Sequence, residues 1–154
     1  MTLEGLNEDF RDIIAVFADS GVEFMVVGAY ALAFHGAPRA SGDIDLFVRP
    51  SAENAGRVFD ALTKFGAPLA AHGVGAADFA REGAVYQIGL PPRRIDVLTQ
   101  ISGVAFDEAW ATCVEVEVLG RKVHIIGRDA YLKNKLAAAR PKDLADVARL
   151  KKIK

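Results

Sequence analysis

Only one cysteine, Cys113, occurs in 154 residues, so no disulfide can form within the chain and packing has to stabilise it. Its setting in Cys113-Val114-Glu115-Val116 suits a small buried residue in an alternating segment. No apolar run approaches the roughly 18 residues that a membrane-crossing helix needs. The N-terminal stretch Met1 to Asp9 is acidic and lacks the basic start of a signal peptide. These absences lead to the expectation of a protein with no membrane partner, in a reducing cytoplasm. A dominant charge is missing too: 19 Lys/Arg against 20 Asp/Glu leave a net charge of −1, which argues against a general nucleic-acid binder. There is no internal repeat and no low-complexity linker. With 51% apolar residues, the length fits a single domain with a real core.

The near-neutral total hides an asymmetry. Residues 128–154 hold nine Lys/Arg against three Asp/Glu, whereas 1–127 hold ten against 17. The expected organisation is one domain over 1–154, with a core over about 22–127 and a basic helical segment over 128–154. That segment could meet a phosphate-rich partner or could be a solvated face that complements the acidic body.

Leu3, Leu6, Phe10, Ile13, Ile14 and Phe17 recur at three- and four-residue spacing, which predicts an amphipathic helix from Leu3 to Ala18. Phe24 to Val27 reads as a short buried strand stopped by Gly28, and Ala29 to His35 as a compact helix closed by Gly36 and Pro38. Asp43 to Val48 is a second strand, and Ser51 caps a helix running to about Phe65. Gly66 to Glu82 reads as loop, with a helical turn near Ala76 to Arg81. Strands over Ala84 to Gly89 and Arg94 to Thr99 form one hairpin; Val114 to Val118 and Lys122 to Ile126 form another. Phe106 to Thr112 is a short helix, and two helices, Arg128 to Ala139 and Pro141 to about Leu150, close the chain. The expected fold class is α/β (α+β): a mixed, largely antiparallel sheet flanked by helices.

The chemistry concentrates in a few positions. A strand alternates its side chains, so Asp43 and Asp45 point one way while Ile44 and Leu46 point into a core. Asp96 repeats that setting between Ile95 and Val97. A buried strand carries an aspartate at a cost unless its charge is compensated, and here it does so three times. Three converging carboxylates repel and raise each other's pKa; a divalent cation relieves this, and aspartate-held hard ions serve phosphoryl transfer. Gly28 opens a helix directly after a strand, an arrangement suited to anions, although neither a P-loop nor a G-x-G-x-x-G pattern is present.

Taken together, Val27-Gly28-Ala29 through Ser41-Gly42-Asp43-Ile44-Asp45-Leu46, then Arg94-Ile95-Asp96-Val97-Leu98-Thr99, and finally Leu132 to Asp146 with Arg140-Pro141-Lys142-Asp143, resemble the polymerase-β-like nucleotidyltransferase superfamily. Within it the motifs resemble small prokaryotic members similar to the AbiEii toxins of abortive-infection toxin–antitoxin systems. The resemblance implies a nucleotidyltransferase fold with two C-terminal helices and an NTP as substrate. It implies Mg²⁺, with Mn²⁺ as a substitute, held by Asp43, Asp45 and Asp96, the last also helping to deprotonate the attacking hydroxyl. It also implies that the Gly28-Ala29 turn cradles the β- and γ-phosphates. Many members carry Gly-Ser or Gly-Gly there; Ala29 offers only its backbone N–H.

Arg39 and Ser41 lead into Asp43; Arg39 could touch a phosphate or pair with an acid. Lys133, Lys135, Arg140 and Lys142 are candidates for nucleotide or acceptor contact. Asp143 and Asp146 could cap and pair within the last helix. His35 reads as a helix-end residue, and Trp110 and Tyr131 as core-edge aromatics or base-stacking platforms. The expected activity is transfer of a nucleoside monophosphate to a hydroxyl on a tRNA end, a protein or a small molecule. A cognate toxin or antitoxin is a plausible partner. The alternatives are a non-catalytic nucleotide-binding or docking module on the same fold, and a Mg²⁺-dependent phosphohydrolase releasing free phosphate.

Overall fold

The computed structural model describes residues 6–153. Helix α1 spans Glu8–Asp19, and its start is set by Asn7, whose side chain accepts the Phe10 N–H at 2.9 Å. Leu3, where the spacing pattern begins, lies outside the described residues. Phe10, Ile13, Ile14 and Phe17 form the buried stripe of α1 as the spacing predicts. Strand β1 (Phe24–Val27) runs directly into α2 (Gly28–Phe34), and β2 (Asp43–Val48) is followed by α3 (Ala52–Phe65). Ser51 caps α3 by accepting the Asn54 N–H, and Gly66 ends it at φ +94°.

Residues 66–82 contain a 3-10 turn over Ala76–Ala80. Asp78 fixes it by accepting the Gly75 N–H at 2.9 Å, and Phe79 is buried beside the ring of Tyr86. Strands β3 (Val85–Ile88) and β4 (Arg94–Leu98) form the expected hairpin, then come α4 (Phe106–Thr112), β5 (Val114–Val118) and β6 (Arg121–Ile125). The β5–β6 turn carries Leu119 and Gly120, both at positive φ, as a two-residue hairpin of the primed type requires. Arg121 therefore belongs to β6 rather than to the turn. Helices α5 (Arg128–Ala138) and α6 (Pro141–Lys151) complete the chain.

The six strands form one sheet in the order β3-β4-β2-β1-β6-β5. Three pairings are antiparallel and two, β1 with β6 and β2 with β4, are parallel, so the mixed sheet matches the expectation. Ile44, Leu46, Ile95 and Val97 are all buried in the main core, which leaves the alternate residues of β2 and β4 on the other face. There Phe47 meets the ring of Phe106 in α4 at 5.1 Å between centroids, covering one end of β2. The Asp43 end faces an open cleft.

Asn54 ties the first turn of α3 to the ends of β1 and β2. It is buried, accepts the Glu23 N–H at 2.8 Å, and donates to the carbonyls of Glu23 and Arg49, each at 3.0 Å. Replacing it by alanine strands the Glu23 N–H and takes one of two donors from each carbonyl, which keep the Arg49 and Ser51 N–H groups. Asn54→Ala is expected to lower stability by about 1–3 kcal/mol, read as a lower urea midpoint at unchanged slope. Nucleotide binding should be retained at denaturant-free conditions.

Candidate active site

The strand register assembles the site. Val27 of β1 faces Asp45 of β2, Asp45 faces Asp96 of β4, and Asp96 faces Gln87 of β3, forming one row across four strands. Residues directly opposite in neighbouring strands project to the same face. Asp43, two residues before Asp45, joins that face and lies opposite Arg94. One carboxylate oxygen from each of Asp43, Asp45 and Asp96 falls within 4.8 Å of the others. Gly28 lies directly against this row: its φ is +70°, and a Cβ there would stand 2.2 Å from Asp45 Oδ2. Only glycine satisfies both conditions.

Two cations and one hydroxyl compensate the carboxylates unequally. Arg94 Nη2 donates to Asp43 Oδ2 at 2.7 Å and to Asp96 Oδ2 at 3.2 Å, and Nε donates to Asp96 Oδ1 at 3.0 Å. The Ser41 Oγ lies 3.0 Å from Asp43 Oδ1. Burial pushes the Asp43 carboxyl up, but the Ser41 hydroxyl and the Arg94 guanidinium outweigh it and hold the group below its usual range. Asp96 is raised, chiefly by burial, despite Arg94. Asp45 is pushed up to about 7 by burial and by the charges of Asp43 and Asp96, with Lys135 pulling the other way.

A second set of buried charges lies on the C-terminal helices. Asp143 and Asp146 are both buried and face Lys135 Nζ at 3.3 and 3.9 Å. Asp146 takes Arg39 in a two-point contact at 2.7 and 3.0 Å. Asp143 accepts the backbone N–H of Arg140 at 3.1 Å and its guanidinium at 2.6 and 3.1 Å. Burial alone would raise Asp143, yet Arg140 and Lys135 draw it down to about 2. The last helix is thus capped by Asp143 as anticipated, whereas Asp146 pairs across the molecule with Arg39 rather than within its helix.

Two clefts, of about 560 and 340 Å³, share Gly28, Asp43, Asp45, Lys135, Arg140 and Lys142 in their walls. The larger continues over Asp96 towards Gln87, Gln100 and Asn134; the smaller runs past Ala29, Arg39 and Ser41 to Arg149. Gly28, Ala29, Arg39, Ser41, Lys135, Arg140 and Lys142 are therefore all drawn to the carboxylates. Lys133 is not. It is exposed, pairs with Glu108 of α4 and lines neither cleft, because residues two apart on a helix face nearly opposite ways. A third hollow of about 550 Å³ lies by Arg49 and Phe106. Its arginine is already engaged by Glu23, by Asp107 and by the Phe106 ring.

Arg94 and Arg149 are additions to the expected set. Arg94 was signalled by its place two residues before Asp96 on one strand face. Arg149 follows Lys142 by seven residues, two helical turns along the same face. His35 is structural: its Nε2 lies 2.8 Å from the Ile126 carbonyl. Trp110 stacks on Phe106, lies tilted against the His124 ring and lines neither shared cleft. Tyr131 is fully buried and its hydroxyl has no partner among the described residues, which excludes it as an exposed stacking platform.

A family model described as "Nucleotidyl transferase of unknown function (DUF2204)" matches residues 6–154. The chain belongs to this nucleotidyltransferase family. No curated protein matches it. Among solved structures it resembles TM1012 from Thermotoga maritima, provisionally classed as a nucleotidyltransferase, with a TM-score of 0.60 at 14% identity over 94% of this chain and 91% of that one. It also resembles ANT(2'')-Ia, solved in complex with adenylyl-2''-tobramycin (TM-score 0.57, 16% identity, covering 92% and 84%). A third likeness is the lincosamide antibiotic adenylyltransferase LnuA, solved with lincomycin (TM-score 0.57, 16% identity, covering 97% and 98%). At these identities the likeness establishes the nucleotidyltransferase fold. Among the described residues no helix is long and apolar enough to cross a membrane.

The raised Asp45 carboxyl has a measurable consequence. An acid whose pKa is higher in the folded state than in the unfolded chain lowers stability as pH rises from the unfolded value of 3.8 to the folded value of about 7. Asp45→Asn removes that penalty. In metal-free buffer the variant is expected to melt at a higher temperature than the wild type at pH 8, with the gap shrinking towards pH 4. Equal midpoints at pH 8 would contradict this electrostatic picture.

Proposed function

We propose that the chain transfers a nucleoside monophosphate from an NTP to an acceptor hydroxyl and releases pyrophosphate. The observation that carries this reading is the convergence of Asp43, Asp45 and Asp96, with oxygens within 4.8 Å of one another, opposite a cationic wall of Lys135, Arg140 and Lys142. Closely spaced, oxygen-only donors are what a hard divalent cation takes, so these three residues fit Mg²⁺ or Mn²⁺. When bound there, the ion would supply charge neutralisation on the triphosphate.

The chain's own groups account for the remaining demands. Lys135, Arg140, Lys142 and Arg39 offer positive charge to the β- and γ-phosphates, beside the backbone of the Gly28-Ala29 turn. Ser41 fixes the orientation of Asp43. Asp96, raised from its ordinary value chiefly by burial, is suited to accept the proton of the acceptor hydroxyl. The acceptor oxygen forms a bond to the α-phosphorus as the bond to the bridging oxygen of pyrophosphate breaks, and the proton passes through Asp96 to solvent.

For the acceptor, the end of the larger cleft beyond Asp96 offers uncharged amides at Gln87, Gln100 and Asn134. That supports a small hydroxylated acceptor over an RNA end, whose backbone calls for Lys and Arg. The two antibiotic-adenylylating enzymes of the same fold agree with it. A toxin–antitoxin role, with a protein or tRNA acceptor and a cognate partner, rests on the AbiEii resemblance. The non-catalytic module has one observation in its favour: a guanidinium, not an open site, lies between Asp43 and Asp96.

Incubation with labelled NTPs, Mg²⁺ and panels of small hydroxylated compounds, total RNA or lysate separates these readings. Labelled acceptor with pyrophosphate supports transfer. Saturable NTP binding with neither product supports the module, and free phosphate supports hydrolysis. Asp43→Asn and Asp45→Asn should each cut transfer by roughly 10³-fold or more while leaving the circular-dichroism spectrum unchanged. Wild-type turnover in the double variant would sink the proposal.

A further inference from the structure

Arg94 stands in an unusual place for a basic residue in a site meant for a cation. Its Nη2 lies 2.7 Å from an oxygen of Asp43 and 3.2 Å from an oxygen of Asp96, while its Nε lies 3.0 Å from the other oxygen of Asp96. A single nitrogen thus bridges the two carboxylates that flank Asp45. An ion held by the triad would compete with this guanidinium for the same carboxylates. The remaining oxygen of Asp43 is taken by Ser41. A guanidinium and a divalent ion within a few ångströms also repel, at an energy that a protein surface only partly screens.

The placement follows from the fold. Arg94 lies opposite Asp43 in the parallel β2–β4 pairing and two residues before Asp96, so all three side chains share one face. Its side chain is 30% exposed and borders the larger cleft, which leaves room for it to swing away. Arginine stays protonated at any working pH, so deprotonation cannot remove the charge. It can leave only by moving.

We propose that Arg94 is a built-in countercation of the acidic triad that blocks free divalent ions from the site and must swing out before one binds. Once released into the cleft, the guanidinium is matched to phosphate oxygens, so a nucleotide arriving with the ion compensates it for the carboxylates it gives up. Ion and nucleotide then bind cooperatively, each helping the other by the same factor. This inference rests on the metal-dependent reading above.

The test is binding of Mn²⁺ alone to the full chain, without nucleotide, followed by the loss of free-ion signal in electron paramagnetic resonance. Arg94→Gln and Arg94→Ala should bind Mn²⁺ at least about tenfold more tightly than the wild type, and Arg94→Lys should fall between. Mn²⁺ should also raise the melting temperature of Arg94→Gln by more than that of the wild type, a readout that does not depend on turnover. In the wild type, adding a non-hydrolysable NTP should tighten Mn²⁺ binding; in Arg94→Gln that gain should shrink.

Equal or weaker Mn²⁺ affinity in folded Arg94→Gln and Arg94→Ala overturns the countercation role, and weaker affinity would mean that Arg94 orients the carboxylates for the ion. The underlying metal reading fails in a different way. It is overturned if neither the wild type nor Arg94→Gln binds Mn²⁺ with or without nucleotide, or if Asp43→Asn with Asp45→Asn leaves the tightened binding of Arg94→Gln intact.

Discussion

Everything proposed for this chain depends on the register of β2 between β1 and β4. The pairing places Asp45 beside Asp96 in a parallel ladder and beside Val27 in an antiparallel one, so that the next residue, Gly28, lies against the Asp45 carboxylate. A slip of one residue would turn Asp43 and Asp45 into the core and expose Ile44 and Leu46. The fully buried Ile44, Leu46, Ile95 and Val97 make that slip expensive. Hydrophobic packing on one face therefore forces the repelling carboxylates together on the other.

The cost of that repulsion is met by charge held in place by further charge. Arg94 and Ser41 compensate Asp43, and Lys135 lies near enough to oppose the raised pKa of Asp45. Lys135 is in turn buried against Asp143 and Asp146, which also fix Arg140 and Arg39. Alternating layers of acid and base run from the strands to α6. Buried pairs of this kind add little net stability, since desolvation consumes most of the attraction. Their worth lies in holding long, flexible cationic side chains where a polyphosphate needs them.

The strand-borne aspartates were legible in the sequence because each interrupts an apolar run, and the helix starts at Ser51 and Pro141 because capping is local. What escaped was set by distant pairing. Chain order does not reveal that β2 and β4 run parallel in a register that puts Arg94 opposite Asp43. Nor does it reveal that Arg39 meets Asp146, or that Asn54 clamps the ends of two strands. Lys133 and Lys135 look equivalent as neighbouring basic residues, yet the helical turn sends one to Glu108 and the other to the site. The start of α1 moved for a local reason: Asn7 caps the helix, and Leu6 packs from outside it.

The central claim is that the Asp43, Asp45 and Asp96 row, with the cations of α5 and α6, forms one site for a divalent ion and a nucleoside triphosphate. Anomalous diffraction from crystals grown with Mn²⁺ and a non-hydrolysable NTP tests it most directly. The account predicts an anomalous peak within bonding distance of Asp43 and Asp45, with the triphosphate running from Gly28 towards Lys135 and Arg140. A nucleotide bound elsewhere, or bound there with no ion touching either aspartate, would contradict it.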